Sequence, residues 1–151
     1  MLEKEVKIKL LDKNAIMPTY GSFYAAGADL YTSIKKEVTI KPGETYFFPT
    51  GLSFEIPEGL VGLVYARSGL GCKNGLAPAN KVGVIDSDYR GELIVALYNQ
   101  SNEERTINPK DRIAQIVFTP YVKANFLEVD NLDETERNTG GFGSTGKGKK
   151  S

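Results

Sequence analysis

The 151-residue chain has no histidine and a single cysteine, Cys72. Without histidine there is no Ser–His or Cys–His nucleophile pair. A zinc deaminase, which needs His/Cys/Cys or three cysteines plus a glutamate, is excluded as well. Acid–base work therefore falls to Asp, Glu, Lys or Tyr, and a metal ion would be bound through oxygen, which favours Mg²⁺. A lone cysteine forms no internal disulfide, and the first residues, Met1–Leu2–Glu3–Lys4–Glu5, are charged rather than continuously apolar. Both features point to a reducing, cytoplasmic setting. No apolar run approaches the roughly 20 residues that span a bilayer, so a soluble protein with no membrane partner is expected. Charge of one sign is also lacking, with 19 basic and 19 acidic residues. A sequence-independent nucleic-acid binder needs positive charge to displace counterions, so no stable nucleic-acid partner is expected. The one local excess, Lys147, Lys149 and Lys150, reads as a solvated terminus.

What is present is a period of two. The length suits one domain with a real core. Val6, Ile8 and Leu10 alternate with Lys7 and Lys9; Val38 and Ile40 alternate before Pro42–Gly43; Leu52, Phe54 and Ile56 alternate before Pro57–Glu58–Gly59. Alternation bounded by Pro/Gly turns reads as half-buried strands. Residues 60–65, 93–98 and 113–118 are apolar almost without a break and predict strands covered on both faces. No long amphipathic helix is visible. Many short strands with regular turns imply an all-β barrel or sandwich. One short helix is expected after Ser68 as cap, ending at Asn74–Gly75, although Gly69, Gly71 and Gly75 fit a Gly-rich loop too.

Composition changes near residue 129. Residues 1–129 read as the β domain. Residues 130–151 are polar and Gly-rich, with Leu132 and Phe142 as the only large apolar residues. Such an arm buries too little surface to offset its own entropy and is expected to be mobile alone. Its Gly141–Lys147 stretch fits G-x-x-x-x-G-K, but a P-loop needs Ser or Thr next, where Gly148 stands, and a strand and helix on either side. The Walker assignment fails. Glycines still let backbone amides approach phosphate oxygens, Ser144 and Thr145 add hydroxyls, and Arg137 adds a charge-assisted donor. By composition alone the segment fits a disordered linker equally well.

Four further segments are chemically suggestive. Ala66–Arg67–Ser68–Gly69 at a helix start offers amides and a guanidinium to an anion; an ordinary capped helix fits as well. In GVIDSDYRGE, Asp86 follows the apolar run 82–85 and so sits at a strand end, where burial and fixed geometry are available to tune a base. A plain hairpin with solvated carboxylates fits that string equally. Arg112 and Gln115 differ in parity, which places them on opposite faces of a strand. Asp29, among small residues in Ala26–Gly27–Ala28–Asp29–Leu30, is expected in a turn.

AAGADLYTS, ARSGLG, GVIDSDYRGE, RIAQIVF and RNTGGFGSTG occur together and in this order. They resemble the five motifs of the trimeric dUTPase family and cover residues 25–146. The resemblance implies a jelly-roll-like β-barrel in a homotrimer whose sites are each assembled from three chains, with the arm of one closing a site between the others. It implies Mg²⁺-assisted hydrolysis of dUTP to dUMP and pyrophosphate by water attack on the α-phosphorus. Carried over by motif, Asp86 resembles the catalytic base and Tyr89 the ring beneath the deoxyribose that leaves no room for a 2′-hydroxyl. Asn80 and the backbone of Gly83, Val84 and Ile85 resemble the uracil-reading edge. Arg67, Ser68, Gly69 and Gln115 fall at phosphate-binding positions. Asp29 resembles an acid in the second shell of the metal that pairs with Arg112, the Mg²⁺ itself being held mainly by substrate phosphates and water. Arg137 resembles a phosphate clamp, Phe142 a uracil-stacking ring, and Gly143, Ser144 and Thr145 ligands of the terminal phosphates. Two positions depart from the family pattern. Ala66 stands for the usual Pro, implying a looser loop entry. Asn138 stands for the usual Gly, and Asn tolerates left-handed backbone. A dCTP deaminase-related enzyme of the same fold and a catalytically silent nucleotide-sensing module are the alternatives.

Overall fold

The computed structural model describes residues 1–150. Short runs of β-branched and aromatic residues between Gly/Pro turns become strands wherever one side can be buried. In chain order these are β1 (Lys7–Leu10), β2 (Thr19–Tyr20), β3 (Ala28–Tyr31), β4 (Val38–Ile40), β5 (Thr45–Pro49), β6 (Leu52–Glu55) and β7 (Leu60–Tyr65). The one-turn helix α1 (Ser68–Cys72) follows, then β8 (Leu76–Pro78), β9 (Gly83–Ile85), β10 (Ile94–Asn99), β11 (Arg105–Ile107) and β12 (Arg112–Pro120). The strands form a five-stranded sheet in the order β2-β3-β12-β7-β9, a three-stranded sheet β5-β10-β8, and the pairs β1-β6 and β11-β4. Every pairing is antiparallel.

The inward residues of all these sheets meet in one core. Leu30, Phe48, Leu52, Leu97, Ile113 and Ile116 are fully buried there, each stabilising the fold by about 1.5–3 kcal/mol relative to exposure. Asn99 is buried among them. Its amide donates to the Ile40 and Glu103 carbonyls, both at 2.8 Å, and its Oδ1 accepts from the Ser101 amide and hydroxyl. That satisfies the side chain completely, as burial of a carboxamide requires.

Three expectations need correction. The near-continuous apolar runs are not covered on both faces within one chain. In β7, Gly62 and Val64 are buried while Val61 and Leu63 are half-buried and Tyr65 is exposed. In β10, Ile94 is 43% exposed, and in β9, Val84 is 63% exposed. Antiparallel sheets can leave one face open, and here the open face is apolar. Second, Ser68 is the first helical residue and not the cap: Arg67 holds the N-cap position without any side-chain capping bond. Third, Asp29 lies in β3, paired with Gln115 and Thr19, rather than in a turn.

Beyond β12 the chain leaves the sheets. Residues 121–139 are exposed throughout. Local turns organise residues 135–146: Gly140 N–H donates to the Arg137 carbonyl, and Asn138 exchanges bonds with Thr135. Asn138 adopts φ of 44°, the left-handed geometry its side chain tolerates.

Candidate active site

Two clusters of the expected residues form, at different places on the five-stranded sheet. The first is centred on Asp29. Arg67 donates from Nε to Asp29 Oδ1 at 2.8 Å, and Arg112 Nη1 reaches Oδ2 at 3.5 Å. The Asp29 side chain is 13% exposed, so two guanidinium groups offset the cost of its partial burial. Arg67 was expected beside phosphate and Arg112 as the partner of Asp29. The structure gives Asp29 to both arginines, Arg67 more closely. This bond uses Nε alone and leaves the Nη groups of Arg67 as donors for an anion.

Parity fails at Arg112 and Gln115. Arg112 pairs with Tyr31 and Ala114 with Leu30, so β12 carries one extra residue between them. A β-bulge of this kind shifts the alternation by one. Ile113 and Ala114 consequently both point into the core, and Arg112 and Gln115 stand opposite Tyr31 and Asp29, on one face. Gln115 Nε2 donates to the Ala66 carbonyl at 2.9 Å. Its carboxamide lies over Gly27, where a Cβ would meet Gln115 Oε1 and come within 3.0 Å of Cδ. Gln115 thus braces the start of the Arg67–Ser68 loop against the β3 entry. Ser68 and Gly69 are exposed beside it. At five residues, α1 is too short for helix-end charge to matter, and Arg67 is the cationic group at that loop.

The second cluster is the hairpin from residue 80 to residue 92. Lys81, at φ of 69°, closes a tight turn in which Val82 N–H donates to the Asn80 carbonyl at 2.8 Å. The Asn80 amide nitrogen falls 3.7 Å from the place a Cβ on Gly83 would occupy, so the two uracil-edge candidates are brought together. Asp86 follows β9 and closes a turn with Tyr89 N–H at 3.2 Å. The sequence places it at a strand end, either buried as a tuned base or solvated in a plain hairpin. Within one chain it is at the strand end but exposed, on the edge strand of the five-stranded sheet. Asp86, Tyr89, Val84, Ile85, Leu93 and Ile94 line a pocket of about 220 Å³. On its other side Asp86 borders a groove of about 830 Å³ with Val61, Leu63, Val84 and Tyr121.

Sequence reasoning missed Arg90. Its Nη1 donates to the Ser87 carbonyl at 2.7 Å and reaches the Phe54 and Tyr89 carbonyls at 3.4 and 3.3 Å. Nη2 lies 3.8 Å from Glu55, and Ser53 Oγ donates to the Arg90 carbonyl at 2.6 Å. The guanidinium therefore ties the Asp86–Tyr89 turn to β6. No spacing signal announces such a clamp, because its acceptors are backbone carbonyls.

Asp86 and the Arg67–Ser68 loop do not meet within one chain, although the pairing of β9 with β7 carries Gly83 to Val64, near that loop. Ile85 pairs with Gly62 and Val64 with Gly83, so Asp86 lies beside the start of β7, whereas Arg67 and Ser68 follow its end. Six residues of strand, about 20 Å at 3.3 Å each, separate them. The arm residues Arg137, Phe142, Gly143, Ser144 and Thr145 make no hydrogen bond or ion pair with either cluster among the described residues, and Phe142 is fully exposed. No group of three or more acidic or cysteine side chains that could hold a metal occurs among the described residues. Both Asp29 oxygens are engaged by arginine.

Arginines and amide donors beside a guarded carboxylate, with a second carboxylate presented at a strand end, define an all-β protein made to handle an anionic ligand. A family model for dUTPase matches residues 13–146. A deoxyuridine 5′-triphosphate nucleotidohydrolase of Desulfitobacterium hafniense is 51% identical over 146 residues, covering 93% of this chain and 97% of that protein. The enzyme of that name from Nautilia profundicola is 49% identical, covering 95% and 99%. Among solved structures, a mutant dUTPase of Staphylococcus bacteriophage 80alpha with dUpNHpp superposes with a TM-score of 0.86 at 29% identity, covering 96% of this chain and all of the other. A dUTPase from phage phi11 of S. aureus, described with a structural Mg(II) ion, gives 0.75 at 27% identity over 85% of this chain and 98% of its own. The chain belongs to the dUTPase family.

Proposed function

We propose that this protein is a dUTP diphosphatase that hydrolyses dUTP to dUMP and pyrophosphate, working as a homotrimer of jelly-roll-like β-barrels. Residues 1–129 form the barrel, and 130–151 the arm that closes a site between neighbouring chains. One observation carries the shared site: about 20 Å of β7 separates the strand-end carboxylate from the phosphate-binding loop. Only a second copy can bring an Asp86 hairpin up to an Arg67–Ser68 loop. The uncovered apolar face of β7, β9 and β10 supplies the surface for that association, since apolar patches left open on a monomer mark interaction sites.

The assigned roles follow from what each group presents. The Asn80 side chain and the Gly83–Ile85 backbone read the edge of uracil, with Phe142 of an arm stacked on its face. Tyr89 lies under the deoxyribose. Arg67, Ser68, Gly69 and Gln115 hold phosphate oxygens of the same substrate from the neighbouring chain, joined by Arg137, Gly143, Ser144 and Thr145 of the arm. Asp86, held in position by Arg90 and the Tyr89 turn, takes a proton from water as the water oxygen bonds to the α-phosphorus; the bond to the β-phosphoryl oxygen breaks and pyrophosphate leaves. The donor set fits Mg²⁺ carried by the substrate: the described residues offer no cluster of three or more acidic side chains, Asp29 is committed to arginine, and Mg²⁺ retains waters readily. When bound, the ion neutralises phosphate charge and orders the triphosphate. Asp29 acts at a distance, by fixing Arg67 and Arg112.

Incubation of the purified protein with Mg²⁺ and dUTP, UTP, dTTP or dCTP is expected to release pyrophosphate from dUTP and no ammonia from dCTP. Asp86→Asn is expected to keep dUTP affinity while lowering kcat by on the order of 10²–10⁴. Near-normal turnover by that variant would remove Asp86 from the mechanism.

A further inference from the structure

Tyr89 folds back over the backbone two residues ahead of it. Its hydroxyl donates to the Glu92 carbonyl at 3.0 Å. The ring passes so close to Gly91 that a Cβ there would stand 2.6 Å from Cζ and 2.8 Å from Cε1, and closer still to Oη. Real Cβ atoms essentially never approach a neighbour within 3.0 Å, so any side chain at position 91 pushes the ring off its seat and breaks the bond to Glu92. Nothing else at this position calls for glycine. Its φ is not in the left-handed range, and the residue is exposed. Its backbone therefore accepts alanine without strain.

We infer that Gly91 is a specificity-determining position, its missing side chain seating the Tyr89 ring at the height that admits a deoxyribose and refuses a ribose. The inference rests on the assignment of Tyr89 to the sugar and extends it to a residue that touches no substrate. Gly91 is in this sense a positioning residue. The pocket beside it already has the ring as a wall, together with Asp86 and Ile94. Tyr89 is 46% exposed, so a ring displaced by an added methyl at position 91 has solvent to move into and ceases to be a fixed wall. The hydroxyl bond to Glu92 is the second restraint, and it depends on the same close approach.

The test compares kcat/KM for dUTP and UTP in the wild type, Gly91→Ala, Tyr89→Ala and the double variant, with thermal denaturation and oligomeric state measured for each. Changes of one methyl group in a fitted pocket shift discrimination by roughly 10–200-fold. Gly91→Ala is accordingly expected to lower the dUTP-to-UTP ratio by about tenfold or more with an unaltered melting temperature, and to add nothing in the Tyr89→Ala background. Tyr89→Phe, which keeps the ring and loses only the bond to Glu92, is expected to shift the ratio in the same direction by less. If Tyr89→Ala abolishes discrimination while Gly91→Ala preserves it, or if the two losses simply multiply, the positioning role is wrong and the assignment of Tyr89 stands. If Tyr89→Ala itself leaves the ratio intact, the assignment of Tyr89 fails and the inference with it.

Discussion

Arg90 offers the sharpest test of how this fold holds its proposed base. Replacing it with alanine removes one short bond to the Ser87 carbonyl, two long ones at 3.3 and 3.4 Å, and a 3.8 Å ion pair with Glu55. A hydrogen bond from a charged donor contributes about 1.5–3 kcal/mol. The ion pair joins side chains that are 53% and 50% exposed, and exposed pairs contribute close to nothing. The two long bonds lie near the limit of useful geometry. The sum is about 2 kcal/mol, and it acts on the Asp86–Tyr89 turn, because the short bond is to the Ser87 carbonyl within that turn. If the turn must be ordered for catalysis, 2 kcal/mol corresponds to a loss of about 30-fold in kcat/KM for dUTP, at 1.36 kcal/mol per decade. The same energy taken from the whole domain would lower Tm by about 4–8 °C. Steady-state kinetics, a thermal melt and amide exchange across residues 86–92 separate the two. The expected pattern is a large kinetic loss, faster exchange in that segment and a small change in Tm. Arg90→Lys should not restore activity, since an ammonium cannot span the same acceptors. A variant whose Tm drops by several degrees while kcat/KM holds would show that the guanidinium serves the fold and leaves the turn unaffected.

Deleting the chain after Asn138 should leave a folded oligomer with wild-type melting and poor dUTP hydrolysis; undiminished hydrolysis would contradict the closing-arm proposal. Asn99→Leu fills the same space but strands the Ile40 and Glu103 carbonyls and the Ser101 amide. A cost of about 3 kcal/mol, or roughly 10 °C in Tm, is expected, and a melt within a degree or two of wild type would disprove it. The Glu55 carboxyl is held below its ordinary 4.5, first by the Lys7 hydrogen bond and then by the Lys7 charge, against an opposing effect of desolvation that outweighs the further lowering by Arg90. Being lowered in the folded state, it adds stability above its ordinary value and loses that contribution as pH falls through the lowered one. The Tm advantage of wild type over Lys7→Ala should therefore shrink on acidification below pH 4.5; an advantage constant with pH would rule the pair out as its source.

Strand alternation made most of the fold legible, because a period of two needs only local sequence. β4 and β6 fall where alternation and Pro/Gly turns place them, β7 falls on the apolar run 60–65, and β10 is displaced from the run 93–98 by a single residue. Long-range facts were hidden. The bulge in β12 is a matter of how β3 pairs with it, and no property of Arg112–Gln115 alone reveals the extra residue, so the two side chains were assigned to opposite faces. Asp29 looks like a turn residue because small neighbours usually mean one; only the two arginines arriving from the loop after β7 and from β12 explain a carboxylate on a strand. Arg90 and Gly91 stayed invisible for a related reason: both act on main chain or on a ring folded back over it. The motif residues Asp86, Tyr89, Asn80 and Gly83 were recognisable from order along the chain, yet the distance of Asp86 from Arg67 emerges only from β9 running antiparallel to β7.

That antiparallel pairing bears on heredity as well as chemistry. On the shared-site proposal, a lesion at Asp86 and a lesion in the arginine loop strike opposite ends of β7 in one subunit, and each end contributes to a different pocket. Two defective alleles of these two kinds, expressed together, would by chance assemble some pockets from sound halves only, so the pair would complement where either alone is null.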